Sequence, residues 1–299
     1  MELTGANLQT LGVGFKSNYQ AGFDEVTPTW NMVAEEISST TAQNEYGWLG
    51  QWPSLRKWVG DRVVKAVAAH KYAIENEDFE NTVGVLKKHI EDDNLGVYSK
   101  LFQAQGRAAA RWPDELVWPA LAAGFSTACY DGQNFFDTDH PVGDKAEGTL
   151  RTVSNMQAGG GAPWFLMDTT QALKPIILQM RKKPQFAQMT DPNTTERVFM
   201  KNEYLYGIEA RANVGYSFWQ MAFGSKADLT EANFKSAYQS MTDLQNDQGG
   251  KLAIKPNLLV VGSSNQWKAR ELLEQARKTG GEDNILKGIT ELFVSPHLA

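Results

Sequence analysis

The chain holds one cysteine, Cys129, in 299 residues. A lone thiol closes no intrachain disulfide and cannot supply a zinc site built on paired cysteines. Its expected place is the apolar interior, and the chain fits a reducing compartment. Histidine is scarce as well: His70, His89, His140 and His297 are four in number, no two at metal-ligand spacing, and no HExxH occurs. There is no GxSxG elbow, no Walker A loop and no GxGxxG after a strand; the glycine run 159–161 leads into Ala162 and Pro163 rather than a helix start. The longest apolar region, Leu116 to Cys129, is interrupted by Pro119, Gly124, Ser126 and Thr127. It falls short of the about 20 apolar residues that a bilayer span needs. The opening MELTGANLQTLGVGF lacks the basic start and continuous apolar run of a signal peptide. A soluble chain with no membrane contact is expected. Positive charge is also short, with 29 Lys and Arg against 35 Asp and Glu and a formal net charge of -6. That balance argues against a protein that grips phosphates through a basic stripe.

What the chain does have is core-forming material, at 42% hydrophobic residues, enough for one large domain or two modest ones. Leu8, Leu11, Phe15 and Tyr19 recur at helical spacing and predict an N-terminal helix closed by Gly22. Residues 44–60 are rich in Trp48, Trp52 and Trp58 between glycines and prolines. Such a loop suits docking on another surface, because each ring brings large contact area with few rotors to freeze; covering its own core is the alternative. Tyr72, Ile74, Phe79, Val83 and Val85, with turn-like residues 76–78 between them, predict a hairpin of two long strands. Leu95, Tyr98, Leu101 and Phe102 share a helical face that Asp92, Asp93 or Asn94 can cap, and Pro113 is expected to break this helix. Alternation predicts a sheet-rich stretch over 164–221. The last part has α/β texture, with helices near 230–244 and 265–278 and strands at NLLVVG and ELFVS.

Two clusters could carry chemistry. Glu75, Glu77, Asp78 and Glu80 fit a solvated hairpin tip better than a sheltered acid/base site. Asp137, Asp139 and His140 in FFDTDHPV could hold a divalent ion, but an Asp-rich turn before proline has the simpler use of capping backbone N–H groups. No catalytic residue, metal or cofactor is therefore assigned. The rival readings are a metal-dependent hydrolase centred on these three residues, or an oligomeric tail or baseplate component.

In order along the chain stand YGWLGQWPSLRKWVGDR, FENTVGV, IEDDNLGVY, YDGQNFFDTDHPV, VFMKNEYLYGIEARANVGYSFWQMA and KPNLLVVG. With these segments the chain resembles, over nearly its whole length, the major head subunits (major capsid proteins) of Mu-like tailed phages. The resemblance implies an α+β fold of the HK97 type in four parts. These are an N-terminal arm at 1–43, an extended β-hairpin loop at 44–85, a peripheral domain at 86–223 whose spine helix covers about 93–112, and an axial domain. The order of textures places the axial domain last, at 224–299. The family further implies self-assembly into hexamers and pentamers of an icosahedral virion head, in the host cytoplasm, that encloses double-stranded DNA without sequence-specific binding. A scaffold protein, a maturation protease, a portal and a decoration protein are the other implied partners. Candidate subunit-interface residues are Trp48, Trp52, Trp58, Tyr72 and Phe79.

Overall fold

The computed structural model describes residues 5–47, 49, 72–93, 96–143, 148, 150–191, 193, 195–247, 249–278 and 280–298. Along the chain come α1 (Gly5–Asp24), β1 (Ala34–Ser38), β2 (Gln43–Glu45), β3 (Ala73–Glu75), β4 (Glu77–Leu86), α2 (Lys87–Glu91), α3 (Val97–Ala123), β5 (His140–Val142), β6 (Arg151–Val153) and β7 (Met156–Gln157). Then follow β8 (Trp164–Met167), β9 (Ile176–Met189), α4 (Glu196–Lys201), β10 (Glu203–Tyr216), β11 (Ala222–Ser225), α5 (Glu231–Thr242), β12 (Leu258–Val261), α6 (Gln266–Leu273) and β13 (Glu291–Val294).

Two sheets organise these elements. The first has the order β1-β9-β10-β4, with β10 antiparallel to both neighbours and β1 parallel to β9. In β10 the residues Tyr204, Tyr206, Ile208, Ala210 and Ala212 are buried and their neighbours are not, the period-2 pattern of a strand with one covered face. The cover is α3 with α1 laid across it. Pro184 sits in β9 where the β9–β10 register shifts, a position at which a missing ladder donor is tolerated. The second sheet, β13-β12-β8-β11-β7, is mixed in direction. β8 and β12, buried at every position, form its middle, and α5 and α6 lie in its connections.

The spine helix α3 has 27 residues, which at about 1.5 Å per residue spans roughly 40 Å. The sequence led us to expect a break at Pro113, and this expectation is corrected: the helix runs on through Pro113 and Pro119. Each proline costs a backbone hydrogen bond. Burial of Val117, Trp118 and Leu121 in the main core offsets that loss. At its start, Asp93 accepts from the N–H groups of Val97 (3.1 Å) and Tyr98 (3.4 Å), so one of the three expected caps is in place. At its far end Trp118 stacks on Phe293 of β13 at 5.1 Å, and the Tyr216 hydroxyl donates to the Ala120 carbonyl at 2.7 Å. These contacts fix the second sheet against the first. A separate aromatic cluster of Phe15, Phe102, Tyr204 and Tyr206, with Val85, Ile90 and Val198, holds the opposite end.

Several expectations change at the level of pairing. Gly22 does not end the first helix; it lies inside α1, at the crossing with α3. The segment expected as an arm packs on its own subunit, through α1 on α3 and β1 on β9. The anticipated hairpin turn at 76–78 is instead a junction: β3 pairs with β2, whereas β4 pairs with β10. The boundary at 224 falls within β11, and the mixed sheet draws β7, β8 and β11 together with β12 and β13. Strands so distant in sequence carry no local signal of their partnership. The helix expected at 265–278 is shorter, ending at Leu273, while that at 230–244 is found as α5.

Candidate assembly surfaces

A ribbon root is the first feature. β2 and β3 pair, and the residues between them join the two strands. Trp48, Trp52 and Trp58 fall in this connection and lie outside the described residues. Its root is held by a buried polar network. The Tyr46 hydroxyl donates to Gln179 Oε1 at 2.8 Å, and Gln179 Nε2 donates to the Ile74 carbonyl and Asn76 Oδ1, both at 2.9 Å. Asn76 Nδ2 in turn donates to Ser39 Oγ (2.9 Å) and to the carbonyls of Thr41 (2.9 Å) and Ala42 (3.1 Å). A fully satisfied network of this kind fixes one geometry. Tyr72 belongs to the root. Its hydroxyl accepts the Tyr216 N–H at 2.7 Å, its carbonyl accepts the Tyr46 N–H at 2.8 Å, and burial pushes its phenol above the ordinary range.

Phe79 lies elsewhere, in a groove of about 220 Å³ between α3 and the first sheet. Its ring meets that of Trp112 at 4.9 Å and 61°. Ala108, Ile208 and Pro184 complete the apolar wall, and Glu80 and Glu115 stand on the rim. Gln105 Oε1 and Trp112 Nε1 are buried beside it without a hydrogen-bond partner. Next to the groove β4 forms the open edge of its sheet and carries exposed Glu77, Asp78 and Glu80. Charges on a free edge hinder unspecific strand addition. Sequence reasoning missed Trp112 and Gln105, because both read as ordinary helix positions.

Large apolar side chains are exposed at further places, among them α4 and α6. Phe199 (71% exposed) and Met200 (69%) lie on α4, between the ends of β9 and β10, while Val198 beside them is buried. On the α/β unit Trp267 of α6 is 71% exposed.

The turn FFDTDHPV has structural work to do. Asp137 accepts from the N–H groups of Asn134 (3.2 Å) and Thr138 (2.7 Å). Burial acts to raise its carboxyl, but these donors outweigh burial and hold it below the usual range. Asp139 is raised by its hydrogen bond with Asp137. His140 turns away from both. Its Nδ1 lies 2.7 Å from Asp131 Oδ2, its Nε2 lies 3.2 Å from Asn155 Oδ1, and its ring stacks on Trp219 with centroids 4.1 Å apart. The three residues singled out in sequence therefore do not converge on one point.

Solved structures place this α+β chain, with its long spine helix and its anchored β2–β3 pair, in a class. The chain in the procapsid of bacteriophage JBD30 is 46% identical, with a TM-score of 0.86, and the match covers 99% of this chain and 100% of that one. The chain in the JBD30 capsid decorated with minor capsid protein trimers is 37% identical, with a TM-score of 0.76 and 91% of each covered. The fold is the HK97-like fold of phage capsid proteins. The model of the Mu-like prophage major head subunit gpT family matches residues 8–298. The major capsid protein of Escherichia phage Mu is 39% identical over the whole of both chains. The Mu-like prophage FluMu major head subunit of Haemophilus influenzae is 45% identical, over 93% of this chain and 91% of the relative. The chain belongs to the Mu-like phage major head subunit family. It is a structural capsid subunit and not an enzyme.

Proposed function

We propose that the subunit closes an icosahedral head as hexamers and pentamers around double-stranded DNA, through the excursion rooted at β2 and β3 of one copy lying against the next. The single observation that carries this reading is the buried Tyr46–Gln179–Asn76 network, which anchors the chain at the ends of β2 and β3. A ring needs heterologous contacts, one patch meeting a different patch on the next copy. Trp48, Trp52 and Trp58 supply apolar area on one side, and the Phe79 groove supplies a receptor on the other. Charge supports the match. Residues 50–71 carry Arg56, Lys57, Arg62, Lys65 and Lys71 against one acid, Asp61, in a chain that is acidic overall, while Glu80 and Glu115 rim the groove. Each contact is weak alone, and several per subunit make later ones effectively intramolecular. Tyr72 acts in this scheme from inside its own subunit, by fixing the root.

The α/β unit built on the mixed sheet is the part assigned to the capsomer axis. Assembly in the host cytoplasm with a scaffold, a maturation protease and a portal, and later binding of a decoration protein, complete the scheme. The test is electron microscopy of the purified chain, alone and coexpressed with its scaffold. Rings of five and six, shells or tubes are expected from the native chain. Trp52→Ala with Trp58→Ala should leave circular dichroism unchanged and abolish these particles. Particles of normal number and size from that variant would overturn the reading.

A further inference from the structure

Apart from the assembly surfaces, one group of potential metal ligands among the described residues is left without a role. Cys129, Asp131 and His140 each present one donor atom, and the three atoms lie within 4.8 Å of one another. Cys129 Sγ is 3.1 Å from Asp131 Oδ1, and His140 Nδ1 is 2.7 Å from Asp131 Oδ2. The hydrogen bonds around Asn155 decide what His140 can offer. Asn155 Nδ2 donates to the carbonyl of Phe135 at 2.8 Å, and Asn155 Oδ1 accepts the Asp137 N–H at 2.9 Å. Flipping this amide would set acceptor against acceptor and donor against donor. Asn155 Oδ1 is thus an acceptor, and the proton shared with it sits on Nε2 of His140. In a neutral imidazole Nδ1 is then a bare lone pair, pointed at a carboxylate oxygen. Two lone pairs at that distance need a positive charge between them, either a proton or a metal ion.

We propose that Cys129 Sγ, Asp131 and His140 Nδ1 form a binding site for one divalent transition-metal ion of the zinc type, at the turn that precedes β5. A proton would engage only His140 and Asp131. The thiol beside them completes a three-donor set of mixed sulfur, nitrogen and oxygen character, which suits zinc or cobalt and leaves a fourth position open. Charge also balances, since a thiolate and a carboxylate neutralise a divalent ion and no net charge is buried. Ion entry displaces the thiol proton and separates Nδ1 from the carboxylate to about 3.3 Å, the ligand edge of a tetrahedral zinc site. The Trp219 ring and Asn155 hold the imidazole in the orientation that presents Nδ1, the usual task of groups behind a metal ligand. Asp137 and Asp139 take no part.

The test uses the untagged full chain. The metal content of protein purified without chelator is measured first, and the chelator-treated protein is then titrated with cobalt(II) and followed by absorption. One ion per chain and a thiolate-to-cobalt charge-transfer band are expected. Cys129→Ser, a substitution of similar size, should remove that band and weaken binding at least tenfold. His140→Gln should weaken binding further, and since this variant can lose its fold, Cys129→Ser carries the decision. Folded native protein with no stoichiometric ion, or cobalt bound without the charge-transfer band, would overturn the proposal and leave a proton between Asp131 and His140.

Discussion

Gly22 of α1 and Gly106 of α3 clear the same helix crossing from opposite sides: a Cβ on Gly22 would overlap the carbonyl oxygen of Gln103, and one on Gly106 that of Tyr19. The two backbones meet where both side chains are missing, so each glycine is required by close approach rather than by dihedral freedom. Gly106→Ala should destabilise the subunit by about 1–3 kcal/mol, the usual cost of overpacking. Urea denaturation reads this directly. An unchanged midpoint would mean that α1 is not seated on α3 as described.

Asp114 of α3 is buried and accepts the N–H groups of Thr29 (2.9 Å) and Trp30 (2.5 Å), tying the chain before β1 to the spine helix. Trp118 Nε1 donates to the Thr29 hydroxyl at 3.0 Å in the same joint. Asp114→Ala leaves two donors without a partner and should cost about 3 kcal/mol, with Asp114→Asn intermediate because it keeps one acceptor. The order of the three denaturation midpoints is the measurement. Equal midpoints for the alanine variant and the native chain would refute the assignment.

Glu231, at the start of α5, receives hydrogen bonds from Lys235 and then Lys278, each at 2.7 Å, and they lower its carboxyl from 4.5 to about 2. A depressed carboxyl stabilises the fold above its unfolded value and loses that contribution as pH falls toward its folded value. The difference in melting temperature between the native chain and Glu231→Gln should therefore be present at neutral pH and shrink from about pH 4.5 toward pH 2. A gap that stays constant across that range would show the interaction to be absent.

Phe199 and Met200 lie in the open on α4, so their polar replacement removes little from the isolated subunit. Phe199→Ser with Met200→Ser should leave the melting temperature of free subunits within a degree or two and reduce the yield of particles several-fold. Sedimentation separates the two forms. Full assembly of the double variant would show that this tip stays outside subunit contacts.

Local signals were legible and pairings were not. The faces of Leu8, Phe15 and Tyr19 and of Tyr98 and Phe102 mark α1 and α3 because helical periodicity is written within a few turns. β12 and β13 likewise stand out as short apolar runs. The continuation of α3 through Pro113 was hidden, since its compensation comes from Trp118 and Leu121 reaching a core made elsewhere in the chain. That β3 and β4 diverge after Asn76 depends on partners at 43–45 and 203–212, which no window around the turn contains. Asp137, Asp139 and His140 were conspicuous as a string, yet His140 faces Asp131. A turn brings those two together, and spacing alone does not reveal it.

The route of the chain through the mixed sheet bears on synthesis. β8 takes β11 and β12 as its two partners, and β9, α4 and β10 are all made between β8 and the first of them. Pairings so distant in sequence slow folding. A ribosome exposes β8 long before β12, so the α/β unit closes only once β12 has been made. A nascent chain that stops short of β12 cannot complete the mixed sheet, so unfinished chains on a polysome present an open β8 edge in place of the finished unit.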